Sequence, residues 1–155
     1  MAAVNYLKTP PLVRTRERLL LASNKLKIIK TNDLYLLGIL SSSVHMTWMR
    51  LVAGRLKSDY NYSSGIVYNN FPWPEATDEQ KEKIRTLARE ILDTRDKYPD
   101  SCLADLYDTI AMPTDLLKAH QSLDKEVVKL YGEEWKTESD IISGLFRLYV
   151  QKTSS

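Results

Sequence analysis

The chain has 155 residues, 43% of them hydrophobic and 27% charged, which suits one compact domain or two small ones sharing a core. No apolar run approaches the roughly 18 residues that cross a bilayer, the start lacks the basic and apolar regions of a secretory leader, and the one cysteine, Cys102, has no internal disulfide partner, as expected of a reducing cytoplasm. The formal charge of +2 conceals an asymmetry: residues 1–70 carry 10 Lys/Arg against 3 Asp/Glu, a net of +7, and residues 71–155 carry 12 against 17, a net of −5. A chain divided in this way faces a polyanion with its first half, unless that half is only a solvated basic face.

Residues 1–16 are irregular around Pro10-Pro11. Arg18 to Ala22, a Ser23-Asn24 turn and Lys25 to Lys30 read as a β-hairpin with basic polar positions. Asp33 can cap a helix over Leu34–Leu40; Ser41-Ser42-Ser43 interrupts it, and a second helix runs from Val44 to about Ala53, stopped by Gly54. Leu40, Val44, Trp48 and Leu51 share one face of this pair and are the expected core. Residues 55–74 are polar and aromatic without helical period, and are expected to form a long loop with one extended piece at Ile66–Tyr68. Pro72 and Pro74 mark a boundary, giving regions 1–74 and 75–155.

Beyond the boundary the period is helical. Thr77 with Gln80 makes a capping box ahead of a stripe of Ile84, Leu87, Ala88, Ile91 and Leu92, and this helix ends near Tyr98-Pro99. After a connector, Pro113 opens a helix carrying Leu116, Leu117, His120, Leu123 and Val127, closed by Gly132. Thr137 caps a last helix with Ile141, Ile142, Leu145, Phe146 and Tyr149. The fold class is therefore mainly α (α+β): a small N-terminal β-hairpin region with a helix pair and a long loop, then a C-terminal helical bundle.

No catalytic constellation emerges. There is no glycine-rich phosphate loop, and Cys102 lacks zinc-spaced partners. His45 and His120 sit at helical positions that suit packed side chains; Asp105, Asp108, Glu133 and Glu134 read as caps and solvated charges. Asn70-Phe71-Pro72-Trp73 has the outline of an amino-methyltransferase Asn-Pro-Pro-aromatic motif, but Phe71 replaces its first proline, so a boundary turn anchored by aromatic rings is the better reading.

Three blocks carry a family resemblance: Leu37-Gly-Ile-Leu-Ser-Ser-Ser-Val-His-Met-Thr-Trp-Met-Arg50, Gly54-Arg-Leu-Lys-Ser-Asp-Tyr-Asn-Tyr-Ser63, and Ile66-Val-Tyr-Asn-Asn-Phe-Pro-Trp-Pro74. They resemble the end of the target-recognition domain of MmeI-like fused restriction-modification enzymes. Asp100 to Asp108, Met112-Pro113 and Lys118 to Asp124 resemble the helical tail of the same family. The resemblance implies a DNA-recognition and scaffolding piece of a bacterial, cytoplasmic, S-adenosylmethionine-dependent adenine-N6 DNA methyltransferase. It implies no cofactor or catalytic residue in this stretch; S-adenosylmethionine, and Mg2+ for any nuclease domain, would belong to the upstream parent chain. The expected partners are double-stranded DNA and that upstream methyltransferase domain, with no membrane.

The family places base-reading side chains at Lys57-Ser58-Asp59. Independently, a lysine donates to guanine O6 and N7 in the major groove and an aspartate accepts from cytosine N4, so Lys57 and Asp59 suit one G·C pair; the bland alternative is a solvated ion pair. Arg55, Ser58, Tyr60, Asn61, Tyr62 and Ser63 would touch phosphate or support the loop, and Arg14, Arg16, Arg18, Lys25, Lys27 and Lys30 would neutralise the backbone. A competing reading is a helical interaction module whose basic arm docks on another subunit.

Overall fold

The computed structural model describes residues 31–56, 59–108, 110–132 and 134–154, with backbone alone at 55, 56 and 59–61. The proposed hairpin over 18–30 lies outside the described residues. What is described is mainly helical.

Helix α1 (Leu34–Ser41) starts where Asp33 accepts from the Tyr35 N–H at 2.9 Å. Ser42 then ends one helix and starts the next: its Oγ accepts from the His45 N–H at 3.3 Å and donates to the Ile39 carbonyl at 2.7 Å. That serine, extended at φ −77°, ψ 156°, bends the chain into α2 (Ser43–Val52). Six consecutive residues of α2, Val44 to Met49, are buried. Such a helix packs on several sides rather than along one stripe.

The 55–74 region is more ordered than its composition suggests. Strands β1 (Gly54–Leu56) and β2 (Asp59–Asn61) pair antiparallel, with Gly54 opposite Asn61, Arg55 opposite Tyr60 and Leu56 opposite Asp59. Ile66–Tyr68, expected to be extended, instead belongs to a π-helical turn (Ser64–Tyr68) capped by Ser63 and closed by the Asn69 N–H on the Ser64 carbonyl at 3.0 Å. The buried Val67 and the Trp48 Nε1–H, which donates to the Val67 carbonyl at 2.9 Å, hold it against α2. That long-range anchor overrides the β-preference of Ile66 and Val67.

Helix α3 (Asp78–Arg95) opens with the expected Thr77–Gln80 capping box. The connector, irregular by its sequence pattern, contains a short helix, α4 (Leu103–Leu106). Its first turn is held by Asp105, which accepts from the Cys102 N–H at 3.0 Å. Helix α5 (Thr114–Lys129) has Pro113 one place earlier than expected, at the cap, and the chain turns at Gly132 with φ 67°. Helix α6 (Glu138–Thr153) carries the Thr137–Asp140 capping box.

Helix α1 packs on α3, α3 on α5, and α2 on α5 and α6, so one core cluster runs from Ile39 to Leu145 across the proline boundary. One expected core residue lies elsewhere: Leu51 is 45% exposed, while Val44 and Trp48 are buried as expected and Leu40 is half-buried. Periodicity marks a face but not which neighbour arrives to cover it.

Gly38 sets the closeness of α1 to α3. A Cβ there would stand 2.5 Å from Ile84 Cγ2, 3.4 Å from Leu123 and 3.5 Å from Ala88. Gly38→Ala must separate these helices, and overpacking of this kind costs about 1–3 kcal/mol. Urea unfolding should show a lowered midpoint with an unchanged slope; an unchanged midpoint would mean the α1–α3 contact yields freely.

Candidate nucleic-acid interface

The β1–β2 ribbon leaves the end of α2 with almost no slack. Ala53 closes α2, donating its N–H to the Met49 carbonyl at 2.8 Å, and Gly54 begins β1. The two strands bracket Lys57 and Ser58, which lie outside the described residues. Asp59 is therefore not on an extended loop, as its setting suggested; it is the first residue of β2, opposite Leu56. By strand alternation, positions 59 and 61 share one side of the ribbon and positions 55 and 60 the other.

The returning strand is tied down at once. Tyr62 is half-buried, with its hydroxyl 3.1 Å from His45 Nε2. Burial raises the Tyr62 phenol to about 12. His45 is fully buried, ringed by Phe71 edge-on at 4.7 Å, Trp73 at 6.4 Å and Tyr62 at 5.9 Å. Desolvation among these rings pushes it down to about 4, so it is neutral at physiological pH. His45 is thus the packed histidine expected from its helical position, and through Tyr62 it also fixes the second foot of the hairpin onto α2. Sequence reasoning missed this role. The Asn70-Phe71-Pro72-Trp73 segment is the aromatic boundary turn expected: Phe71 and Pro72 are buried, and Tyr131 of the C-terminal region donates to the Pro72 carbonyl at 3.0 Å.

His120 is buried and neutral for a similar reason. Arg95 Nε donates to the Tyr107 hydroxyl at 2.7 Å, and that hydroxyl is hydrogen-bonded to His120 Nε2 at 2.8 Å. Desolvation first, and then the Arg95 charge, lower His120 to about 3. This chain of bonds ties α4 to α3 and α5. Asp105 caps α4, Asp108 accepts from the Ile110 and Ala111 N–H groups, and Glu134 pairs with Lys136 at 3.6 Å, the roles expected of them.

Among the described residues no group of three His, Cys, Asp or Glu side chains is placed to hold a metal. Gly38 and Gly144 are packed against side chains, Gly144 against the Trp135 ring, instead of opening a phosphate cradle. No described helix is long and apolar enough to cross a membrane. Of the residues named from the sequence, the ribbon brings the backbones of Arg55, Asp59, Tyr60 and Asn61 together, with Tyr62 as its anchor, while Lys57 and Ser58 lie outside the described residues. Arg14, Arg16, Arg18, Lys25, Lys27 and Lys30 lie outside the described residues.

The model of the MmeI target recognition domain matches residues 11–75, and that of the MmeI C-terminal domain matches residues 76–155. This chain belongs to the MmeI family. It is 42% identical over 132 residues to a curated relative, DNA methyltransferase A of Bacillus subtilis (strain 168), covering 84% of this chain and 15% of that one. A solved structure of the Type IIL restriction-modification enzyme MmeI in complex with DNA superposes with a TM-score of 0.78 at 45% identity, over 81% of this chain and 17% of that one. The chain therefore spans about a sixth of the length of these relatives.

The two histidines give a pH dependence with a definite sign. Both are depressed on folding, so their contribution is complete above pH 6.5 and is lost as the pH falls toward about 4 for His45 and about 3 for His120. Asp124 works in the opposite sense. Burial raises its carboxyl to about 6, and the penalty of its charge is relieved as the pH falls from there toward 3.8. Between pH 6.5 and 4.5 the urea midpoint should fall, and Asp124→Asn, which removes the opposing titration, should steepen that fall. A flat profile in both proteins would show that neither histidine is buried neutral.

Proposed function

We propose that this chain is the DNA-reading and scaffolding part of an S-adenosylmethionine-dependent adenine-N6 DNA methyltransferase of a restriction-modification system. In this reading Lys57 and Asp59 interrogate one base pair from the end of the β1–β2 ribbon. The observation that carries it is the ribbon itself: two short strands around Lys57-Ser58, rooted at one foot in α2 and at the other in the Tyr62–His45 bond, within a stretch matched to a target recognition domain. The major groove of B-DNA admits a two-stranded ribbon. A lysine there donates to guanine O6 or N7, and an aspartate accepts from cytosine N4.

Arg55, Ser58, Tyr60 and Asn61 flank the pair and serve backbone contact or support, and Arg14, Arg16, Arg18, Lys25, Lys27 and Lys30 supply further positive charge for phosphates. The division at 74/75 then separates reading from scaffolding, although the two parts share a core. Catalysis and the S-adenosylmethionine site belong to the upstream methyltransferase domain, and Mg2+ to a nuclease domain where one is present. The setting is the bacterial cytoplasm. A protein-docking role has one observation in its favour: Phe146 and Val150, one turn apart on α6, are 56% and 43% exposed. That surface suits contact with the rest of the parent chain and does not compete with reading at the ribbon.

Two experiments test the reading. Lys57→Glu combined with Asp59→Arg in the full-length enzyme should exchange the preferred base at one target position, changing discrimination there about ten- to hundredfold and leaving other positions alone. Methylation rates on duplexes varied one base pair at a time measure this, and unchanged preference removes the base-reading assignment. Duplex affinity should also fall steeply with salt through counterion release, whereas a purely protein-docking module would show little DNA affinity at any salt.

A further inference from the structure

Helix α2 launches the ribbon, and the C-terminal helices hold α2 at three places along its length. At its first residue the Ser43 N–H donates to Asp124 Oδ1 of α5 at 2.7 Å, across 81 positions of sequence. In its middle Trp48 meets Tyr149 of α6, ring centroids 5.7 Å apart. In its last turn Arg50 Nη1 donates to Glu138 Oε1 of α6 at 2.9 Å.

The N-terminal contact differs in kind from an ordinary cap. Ser42 already caps α2, but it lies in the same stretch of chain and moves with the helix. Asp124 comes from another helix, so its bond fixes where the start of α2 sits relative to the α3–α5 body. The carboxylate lies at the positive end of the α2 dipole, which favours the bond.

The lever is long. At 1.5 Å per residue α2 runs about 15 Å from Ser43 to the point where β1 begins. A tilt of about 5° at the base would move the start of the ribbon by about 1.3 Å, well beyond the few tenths of an ångström over which a base-edge hydrogen bond keeps its strength.

We propose that Asp124, seconded by Glu138, is a positioning residue for base reading: the C-terminal domain aims the ribbon by holding both ends of α2. This rests on the assignment of Lys57 and Asp59 proposed above. Asp124 touches no base and acts through Ser43 and α2. The tail is then part of the specificity apparatus, and a recognition segment exchanged between relatives keeps its accuracy only when it finds the matching acceptor on α5.

The test uses the full-length enzyme with Asp124→Ala, Asp124→Asn and Glu138→Ala, assayed well below each variant's unfolding midpoint. The readout is kcat/KM on the cognate duplex against duplexes altered at the base pair assigned to Lys57 and Asp59. Asp124→Ala should lower that ratio about tenfold, leave the KM for S-adenosylmethionine unchanged, and speed amide hydrogen exchange at Gly54 and at residues 59–61. Asp124→Asn, which keeps an acceptor oxygen, should restore the ratio and the exchange rates; Glu138→Ala should lower the ratio less.

A loss spread equally over all target positions, or one that Asn does not rescue, overturns the proposal in favour of a general stabilising role. If Lys57→Glu/Asp59→Arg changes base preference while Asp124→Ala leaves discrimination intact, positioning falls and base reading stands. If the Lys57/Asp59 exchange changes nothing, both fall together.

Discussion

A helix of ten residues holds neither its shape nor its direction alone in water, and α2 obtains both from the elements packed around it. Its buried run from Val44 to Met49 is enclosed by α1, α5, α6 and the π-helical turn. The ends of the helix are then fixed by polar bonds that an apolar surface cannot provide: Asp124 at Ser43 and Glu138 at Arg50. Because β1 follows α2 after a single residue, whatever orients α2 also orients the ribbon. The rest of the structure can be understood as the means of making that orientation unique.

The aromatic turn at residues 70–74 belongs to the same logic. Phe71, Trp73 and Tyr68 form successive edge-to-face contacts, 5.0 and 5.1 Å between centroids, and His45 packs against Phe71, Trp73 and Tyr62. A histidine enclosed in this way stays neutral, and its Nε2 is committed to Tyr62, the residue immediately after β2. The ribbon is thus rooted twice in one helix, at its last turn and at its first. The turn that closes the cage also carries the Pro72 carbonyl, to which Tyr131 of the C-terminal region bonds. The recognition and C-terminal family segments meet at residues 75 and 76, yet neither completes its core alone, since Gly38 of α1 packs against α3 and α5.

Particular residues show what was legible beforehand. Asp33, Thr77 and Thr137 announce their helices because a cap is a bond between near neighbours, and near neighbours are fixed by sequence. Gly132 announces its turn for the same reason. The 55–74 segment hides its order because three-residue strands and one π-helical turn are too short to display a period. Leu51 falls on an expected core face yet stays exposed, because helical spacing groups residues on a face without saying whether anything covers it. Lys57 and Asp59 stand out through chemistry and family likeness, whereas their bracing does not, since Asp124 and Glu138 are tens of residues away from what they support and His45 precedes Tyr62 by 17 positions.

The sequence by itself determined the five longer helices, the caps at Asp33, Thr77 and Thr137, the charge division and the family, all of which are written in local composition or in residues read in order. Only the tertiary structure decided that residues 54–56 and 59–61 pair as a ribbon, that His45 roots it, and that Asp124 meets Ser43 across 81 positions. The physical reason is that such contacts depend on how helices approach one another. That approach is set by side-chain volumes summed over a whole core, such as the space left open at Gly38, and no single stretch of sequence contains that sum.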